Sequence, residues 1–477
     1  MGSLRYQLVL GLLLFTASTH AQILQRAENQ SLALPMSTDQ APPALLSDTG
    51  VFSDLAALAP HDGIYAYELN VPFYSDHAVK TRWFSVPRLN DTIAFAEREP
   101  WTFPAGTVWI KHFEMEMDRG NPFSRERLET RLLVMATNGV YGVTYRWTSA
   151  TNAVLVGEDG YQEDLTIQLG IGENVTQTYI YPSRSDCLAC HTPEGGFALG
   201  FNVPQLNLDR AYGNMETNQL LALNEMGYFD PPVEAVNHLY GLAKADDTSV
   251  SLTYRVRSFL AANCSQCHQF ERGSSWDAKI HNPLSDASII RGVLNKSFGD
   301  SDNRVISPGD AGHSVMLTRL SSLGGIRMPP LGSTTLNQEG IQLVSDWIDE
   351  LASYQDYSQW AFSSFGSTNA PSTWPQANPD QDPSPNLLEF LTGTDPNNGG
   401  EYWRFQVSVT GNQATVAFLR LPDVAYIVES SRDLKEWHAW EVEENSPAFS
   451  ASPGTSQISG KVAGPGPRYF RMKVIGQ

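Results

Sequence analysis

All four cysteines of this 477-residue chain lie in two pentapeptides with the same pattern. Cys187 to His191 reads C-L-A-C-H, and Cys264 to His268 reads C-S-Q-C-H. Two thiols at this spacing can each form a thioether with one vinyl group of the same porphyrin, and the histidine that follows can bind its iron. Because C-x-x-C-H is the attachment motif of c-type haem, the sequence predicts two covalently bound haems. The thioether-forming residues would be Cys187, Cys190, Cys264 and Cys267, and the axial iron ligands would be His191 and His268.

Three other uses of paired cysteines explain the pattern less well. A zinc ribbon has two C-x-x-C pairs about 15–20 residues apart, which is far less than here, and zinc does not require a histidine after each pair. A thioredoxin-like redox pair needs a βαβ setting and does not explain the duplication. Disulfides can form in an oxidising compartment, but cysteines at positions i and i+3 usually make strained bridges.

The N-terminal residues 1–21 have the pattern of a secretory signal peptide. Arg5 precedes the apolar run Leu8–Phe15, and Thr19-His20-Ala21 provides a cleavage site after Ala21. The apolar run is too short to span a bilayer as a mature helix. We therefore expect export to the periplasm or cell surface and no integral membrane segment in the mature chain.

The formal net charge of the chain is −20. Such an acidic surface disfavours nucleic acid and anionic lipid as partners and favours cationic ones. The length allows several domains of roughly 100–200 residues each. The sequence predicts a multidomain α+β fold that combines an N-terminal antiparallel β domain, an all-α domain around the second motif and a small C-terminal β-sandwich. The predicted segments are a signal peptide (1–21), an arm or linker (22–59), the β domain (60–182), the first haem segment (183–249), the all-α domain (250–355), a linker with an acidic segment (356–399) and the β-sandwich (400–477).

The β domain is predicted from segments rich in β-branched and aromatic residues, with Gly or Asn between them. Its last strand runs through Tyr179–Pro182 directly into the first C-x-x-C-H motif, so we expect the first haem to lie against this domain. Its distal iron ligand is predicted to be His112, on the strand Val108–Phe113. Other candidates for this position are His77, His61 and His238, and a five-coordinate iron is a further alternative.

The second motif lies in a segment that resembles the class I cytochrome c domain. A helical pattern leads into Cys264, a loop carries Arg327–Gly332, and Ile341–Leu351 has the periodicity of a closing helix with a tryptophan. By this resemblance Met328 is the distal ligand of the second haem. A thioether ligand raises the reduction potential relative to a second imidazole. The alternatives are a core role for Met328 and ligation by His313.

A second resemblance covers roughly residues 45–352. The chain is similar to a family of exported bacterial dihaem proteins with no assigned activity. Some of these accompany, or are fused to, sugar-dehydrogenase-like β-propellers, which implies a dehydrogenase as redox partner. The segments that carry the similarity are Leu46–Phe52, Val71–Asp76, Arg82–Phe84, Lys111–Glu114, Arg127–Arg131, Tyr141–Trp147, Tyr181–Cys187 and Leu199–Asn202.

The C-terminal residues show no haem-binding motif. The segment Asn378–Glu389 resembles the calcium repeats of thrombospondin type 3, in which oxygen side chains alternate along the loop. Pro383 occupies or adjoins the place of the usual central glycine, so a plain acidic linker is the alternative. After it, alternating segments predict the sandwich, and Tyr426–Leu434 resembles C-terminal domains of exported bacterial proteins. The candidate Ca²⁺ ligands are Asp380, Asp382, Asn386 and Glu389.

The leading functional hypothesis is an exported dihaem cytochrome that carries electrons between a periplasmic dehydrogenase and an acceptor. One alternative is a dihaem enzyme such as a peroxidase, with an open first haem and Glu114 or Glu129 as acid–base group. Another alternative is a glycan- or partner-binding module in which haem acts as a sensor. An electron carrier fits the duplicated motif best, because two haems in one chain can pass electrons to each other.

Overall fold

The structure is a computed structural model that describes residues 25–233, 235–442, 444–462 and 468–476. The predicted signal peptide lies outside the described residues. Among the residues that are described, no helix has both the length and the apolar character needed to cross a membrane.

The N-terminal half is built on one antiparallel sheet of six strands, in the order β3-β4-β6-β7-β8-β9. Strands β10 and β11 form a separate antiparallel hairpin beside it. In chain order the strands are β1 (Phe52–Asp54), β2 (Ala59–Pro60), β3 (Tyr65–Ala66), β4 (Val79–Ser85), β5 (Ile93–Ala94), β6 (Val108–Glu116), β7 (Arg125–Ala136), β8 (Gly139–Ser149), β9 (Asn152–Leu155), β10 (Tyr161–Gly170) and β11 (Glu173–Tyr181).

Apolar residues cover both faces of the six-stranded sheet. One face packs against a core that includes Phe84, Trp109 and Phe201, and the other against a core that includes Ile110 and Trp147. Successive side chains of a strand point to opposite faces, so neighbours such as Trp109 and Ile110 belong to different cores. Residues that are adjacent in a strand of this sheet therefore have entirely different surroundings.

Helix α1 (Arg184–Cys190) follows β11 directly and carries the first cysteine pair. Ser183 caps this helix in a capping box with Asp186. The helix packs on β8, where Gly142 allows the close approach: a Cβ added there would lie 2.6 Å from the Cβ of Cys187. The elements that follow are α2 (Val203–Leu206), β12 (Asp209–Tyr212), β13 (Met215–Asn218), α3 (Gln219–Glu225) and β14 (Phe229–Asp230), which pairs in parallel with β5.

The predicted fold class is wrong, because residues 250–355 do not form an all-α domain. In the described structure strands predominate over helices, with 29% of residues in strands and 18% in helices. The α-helices of this segment are α4 (Leu252–Asn263), α5 (Val315–Leu320) and α6 (Gln338–Glu350). Between α4 and α5 the chain is rich in Ser, Asp and Gly, which favour turns. Apart from one short 3₁₀ helix (Phe270–Arg272), it forms loops, in which backbone bridges such as Ile290 to Ile306 occur.

A shared apolar core nevertheless holds these three helices together. Phe259 and Leu260 of α4 meet Trp347 and Ile348 of α6 in one buried cluster. The indole Nε1 of Trp347 donates a hydrogen bond to Thr253 Oγ1 at 3.2 Å. The end of α4, which leads into the second cysteine pair, is therefore firmly positioned.

The segment predicted as a linker, 356–399, contains helices α7 (Tyr357–Phe365) and α8 (Asn386–Thr392). After them come two three-stranded antiparallel sheets, β15-β16-β19 and β18-β17-β20. Phe418, Tyr426 and Trp440 lie in the apolar core that these sheets share. The strands are β15 (Phe405–Thr410), β16 (Gln413–Arg420), β17 (Val424–Ser431), β18 (His438–Ala439), β19 (Gly454–Lys461) and β20 (Tyr469–Gly476).

Candidate functional site

The first C-x-x-C-H motif lines a cavity between the six-stranded sheet and the end of α4. Cys187, Cys190 and His191 all contribute to its wall. The Nδ1–H of His191 donates a hydrogen bond to the carbonyl of Phe197 at 2.5 Å. Burial lowers the pKa of His191 to about 4, so the imidazole is neutral at pH 7. With the proton on Nδ1, the lone pair is on Nε2, which is the arrangement that a metal-binding histidine requires.

Three basic side chains stand in a row on the wall of this cavity that the sheet forms. Arg82 on β4 pairs in register with Lys111 on β6, and Lys111 pairs with Arg131 on β7. All three line the cavity. Burial, and then repulsion by Arg82, Lys80 and Arg131, puts the pKa of Lys111 well below its usual value. A row of like charges at this spacing needs anionic partners to be stable.

Within the described part of the chain, only Arg131 of this row has a carboxylate partner. Arg131 Nη2 donates to Glu129, which is fully buried and also accepts a hydrogen bond from the Tyr179 hydroxyl at 2.7 Å. Arg82 is 7% exposed, and its Nη2 has no hydrogen-bond partner, nor does Nε of Arg131. Glu129 thus balances one cation of the three. Its Oε2 has no hydrogen-bond partner, but Glu129 is not among the residues that line the cavity.

The structure places His112, the predicted distal ligand of the first haem, away from the first cavity. His112 follows Lys111 in β6, and its side chain therefore points to the opposite face of the sheet from the cavity. There its Nδ1 shares a hydrogen bond with Thr130 Oγ1 at 2.9 Å, and its ring packs on Trp147. Glu114, the other proposed acid–base group, lies 3.8 Å from His112 Nε2 and does not line the cavity either.

The other predicted alternatives also lie elsewhere. His77 packs against Tyr74, and His238 pairs with Glu97 at 3.2 Å. Neither these two nor His61 lines the first cavity. Among the described residues of that wall, His191 is the only histidine and there is no methionine.

The second motif lines a separate cavity, and Met328 lies in the same wall as Cys264, Cys267 and His268. Met328 follows α5, and its backbone N–H donates to the carbonyl of Arg319 at 3.1 Å. The structure thus brings together the four residues of this cavity that the sequence analysis grouped. His313 is not among them, because it pairs with Asp310 at 2.6 Å outside the cavity.

The tautomer of His268 follows from its contacts. The Ser274 hydroxyl donates to the carbonyl of Trp276 at 2.6 Å, so its oxygen can accept the Nδ1–H of His268 at 3.2 Å. The imidazole also stacks on the indole of Trp276, with ring centroids 4.2 Å apart. Burial lowers the pKa of His268 to about 4. Nε2 of His268, like that of His191, therefore carries a lone pair.

The two cavities adjoin each other. Gln266, inside the second motif, lines both of them. The loop after α5 is also shared, since Met328 lines the second cavity and Leu331 the first. Burial raises the pKa of the Cys190 thiol, and the nearby Cys267 raises it further. Two motifs far apart in sequence are thus neighbours in space.

Asp76 is a site residue that the sequence analysis did not recognise as one. It is 4% exposed, and its carboxylate accepts the backbone N–H groups of Thr334 and Thr335 at 2.8 Å. The hydroxyl of Thr335 also donates to it, at 2.8 Å. Asp76 thereby joins the N-terminal sheet to the loop that carries Met328. Its position in the Val71–Asp76 family segment was the only sequence signal, and that segment indicated no role.

Both cavities have the donor groups that a c-type haem requires. Each offers two thiols and one neutral imidazole, and the second adds the thioether of Met328. In the first cavity, the unpartnered Nη2 of Arg82 and Nε of Arg131 are suitable donors to the propionates of a haem. The residues present therefore fit this cofactor.

A scan against protein-family models, a search of curated proteins and a search of solved structures each find no match for this chain. Its function is therefore inferred from the chemistry of the two cavities.

Proposed function

We propose that this chain is an exported dihaem c-type cytochrome that carries electrons between a periplasmic dehydrogenase and an acceptor. The observation that supports this most is the shared wall of the two cavities, to which Gln266 of the second motif contributes on both sides. Separate binding sites on distant parts of a chain would not need such an arrangement. Electron transfer between two cofactors does need it, because they must lie close together.

When bound, each haem would supply an iron that takes up and releases one electron. The cysteine pairs would hold the porphyrins by thioether bonds, so that the cofactors cannot be lost outside the cell. His191 and His268 would bind the irons through Nε2, and their Nδ1–H groups fix the ring orientation. Met328 would complete the second site with a weak thioether donor that favours the reduced iron.

The surface charge supports a cationic redox partner. The chain has a formal net charge of −20, while the row Arg82, Lys111 and Arg131 lines an interior cavity. Among the described acidic residues only Asp76, Glu129, Asp277 and Glu389 are buried, so most of the negative charge lies at the exposed surface. Such a surface attracts a partner with a basic docking face and speeds the encounter at low salt. The dehydrogenase as donor follows from the family resemblance.

The proposal is tested on the protein secreted from a bacterial host that attaches c-type haem. Mass spectrometry of the mature chain should show two added haems. The double variants Cys187→Ser/Cys190→Ser and Cys264→Ser/Cys267→Ser should each retain one. Stopped-flow mixing with a reduced periplasmic dehydrogenase should then reduce the wild-type haems. A secreted, folded chain without covalent haem would overturn the proposal, and so would haems that exchange electrons with no periplasmic donor.

A haem enzyme with its reaction centre in the first cavity is the second candidate. One observation favours it: the described residues of that wall include no histidine besides His191 and no methionine. Electron paramagnetic resonance of the oxidised protein separates the two functions. Two low-spin ferric signals support the electron carrier. A high-spin signal that the Cys187→Ser/Cys190→Ser variant lacks, together with turnover of peroxide, supports the enzyme.

A further inference from the structure

A cluster of buried oxygen atoms lies in the loop that precedes α8 and in the first turn of α8. One oxygen from each of Asp380, Asp382 and Glu389 lies within 4.8 Å of the others. Ser384 and Asn386, in the same segment, are fully buried, as is Glu389. Six side-chain oxygens of these residues have no hydrogen-bond partner: Asp380 Oδ2, Asp382 Oδ2, Ser384 Oγ, Asn386 Oδ1, and Oε1 and Oε2 of Glu389.

This cluster is electrostatically uncompensated by the protein. None of the ion pairs found within the described ranges involves its three carboxylates. Burial, and then repulsion by Asp380, Asp382 and Asp395, raises the pKa of Glu389 to about 7. Buried polar atoms nearly always have a partner, and buried charges are paired or coordinate a metal. Six unpartnered oxygens in one segment are therefore unusual and call for a cation.

In three of these side chains, hydrogen bonds to the second polar atom of the same group fix the orientation of the unpartnered oxygen. Asp382 Oδ1 accepts the N–H of Ser384 at 2.6 Å, and Asp380 Oδ1 accepts the N–H of Asp382 at 3.3 Å. In both aspartates the backbone uses one oxygen and leaves Oδ2 free. The amide of Asn386 donates from Nδ2 to the carbonyls of Ser372 and Trp374 at 2.7 and 3.0 Å, which fixes its orientation and leaves Oδ1 unpartnered. These groups are preorganised to bind a ligand.

We propose that Asp380, Asp382, Asn386 and Glu389, with Ser384 as a further ligand, bind one Ca²⁺ ion. All the donors are oxygens, whereas zinc sites are built mainly from His and Cys. Ca²⁺ takes six to eight oxygens in flexible geometry, which suits three carboxylates, an amide and a hydroxyl. Mg²⁺ is smaller, demands octahedral geometry and usually keeps several waters. A buried cage of side-chain oxygens therefore selects Ca²⁺.

The site lies where it can join two parts of the chain. Phe390 of α8, next to Glu389, packs on the rings of Tyr357 and Trp360 in α7. Leu391 lies so close to β20 that a Cβ added at Gly476 would be 2.6 Å from Leu391 Cδ2. Binding at Glu389 therefore fixes α8 between α7 and the C-terminal sheets. None of the five proposed ligands lines either cofactor cavity, so the site is independent of the proposed electron transfer.

The test uses the secreted full-length chain after treatment with a chelator. Calorimetric titration with CaCl₂ should give one binding event per chain, and calcium should raise the melting temperature. The dissociation constant should not exceed about 1 mM, the upper end for extracellular calcium modules. Titration with MgCl₂ should give binding at least tenfold weaker. No heat and no thermal shift with calcium would overturn the proposal, and equal affinity for both metals would overturn the assignment to Ca²⁺.

Variants identify the ligands. Glu389→Gln and Asp382→Asn should each weaken calcium binding at least tenfold. Glu389→Gln also removes a repelled charge, so the chelated variant should melt no lower than the chelated wild type, and loss of binding cannot then result from unfolding. Asp300→Asn, in the exposed group of Asp300, Asp302 and His313, is the matched control and should bind calcium normally. Unchanged binding by both ligand variants would place the ion elsewhere.

Discussion

Gln269 donates its side-chain amide to the backbone carbonyl of Glu194 at 3.2 Å. Gln269 directly follows His268, and Glu194 lies three residues after His191, so this bond joins the turns that follow the two C-x-x-C-H motifs. It is a second connection between the two sites, because Gln266 lines both cavities. The sheet-based N-terminal part and the helical segment therefore form one framework, in which a change at one site should affect the other.

Replacement of Met328 by histidine should lower the reduction potential of one haem and leave the other nearly unchanged. An imidazole is a stronger donor to Fe(III) than a thioether, so it stabilises the oxidised iron. We expect a decrease of at least about 60 mV, which corresponds to tenfold in a one-electron equilibrium. Spectroelectrochemistry of the holoprotein measures it. Met36→Leu, at a methionine that is 41% exposed, is the control. Equal potentials in wild type and Met328→His would exclude Met328 as a ligand.

Loss of a cation from the row in the first cavity should lower the potential of the first haem. A nearby positive charge favours the reduced iron, and Arg82 has an unpartnered Nη2 there. Arg82→Gln should shift that potential down by on the order of 60 mV, about tenfold in the equilibrium. The same potentiometric titration of Arg125→Gln, whose arginine pairs with Glu116 at the surface, should match the wild type. An upward shift in Arg82→Gln would contradict the expected electrostatics.

Asp76→Ala should destabilise the protein and loosen the loop that carries Met328. The carboxylate accepts hydrogen bonds from Thr334 and Thr335, and hydrogen bonds to a charged group contribute about 1.5–3 kcal/mol each. Because such contributions are not additive, we expect a total loss on the order of 3 kcal/mol. Chemical denaturation measures this loss, and the optical spectrum should show partial loss of the second haem's distal ligand.

The control for Asp76 is Asp209→Ala, at an exposed aspartate of β12. It should change neither the stability nor the spectrum. If Asp76→Ala lowered stability without any spectral change, Asp76 would stabilise the fold but would not position Met328.

Without calcium, stability should fall as the pH rises from about 5 to 8. The pKa of Glu389 is raised to about 7 in the folded protein, from 4.5. The folded state therefore binds more protons between these values, and the stabilising contribution, complete below 4.5, is lost as the pH rises through 7. Melting curves across this range, in chelator and in calcium, test this. Calcium should restore the stability lost at neutral pH. Glu389→Gln should abolish the part of the pH dependence that Glu389 causes.

The position of His112 illustrates what a strand pattern can and cannot predict. The segment Val108–Phe113 was predicted as a strand, and β6 covers it. The alternation of side chains is also a property of any strand. Which of the two faces would meet α1 depended on packing with distant parts of the chain. The residue that reaches the cavity is Lys111, one position before the histidine.

The oxygen cluster is a second case. The sequence analysis counted the missing glycine against a calcium site. In the structure, the left-handed backbone conformation occurs at Gln381, with φ of 65°, between the two aspartates. The convergence of Glu389 with Asp380 depends on where α8 begins, which no local pattern specified. Local composition therefore identified the candidate donors but not their common location.

The sequence by itself determined which groups could do chemistry. The two C-x-x-C-H motifs, the loop with Met328 and the alternating oxygens of Asn378–Glu389 are local patterns, and their spacing reflects covalent geometry within a few residues. Only the tertiary structure decided which groups meet. It brought the two motifs to one shared wall, turned His112 away, joined Asp76 to Thr334 and Thr335, and replaced the predicted all-α domain with helices and loops. These outcomes depend on contacts between residues far apart in the chain, whose stability comes from burial of the whole core and not from any short segment.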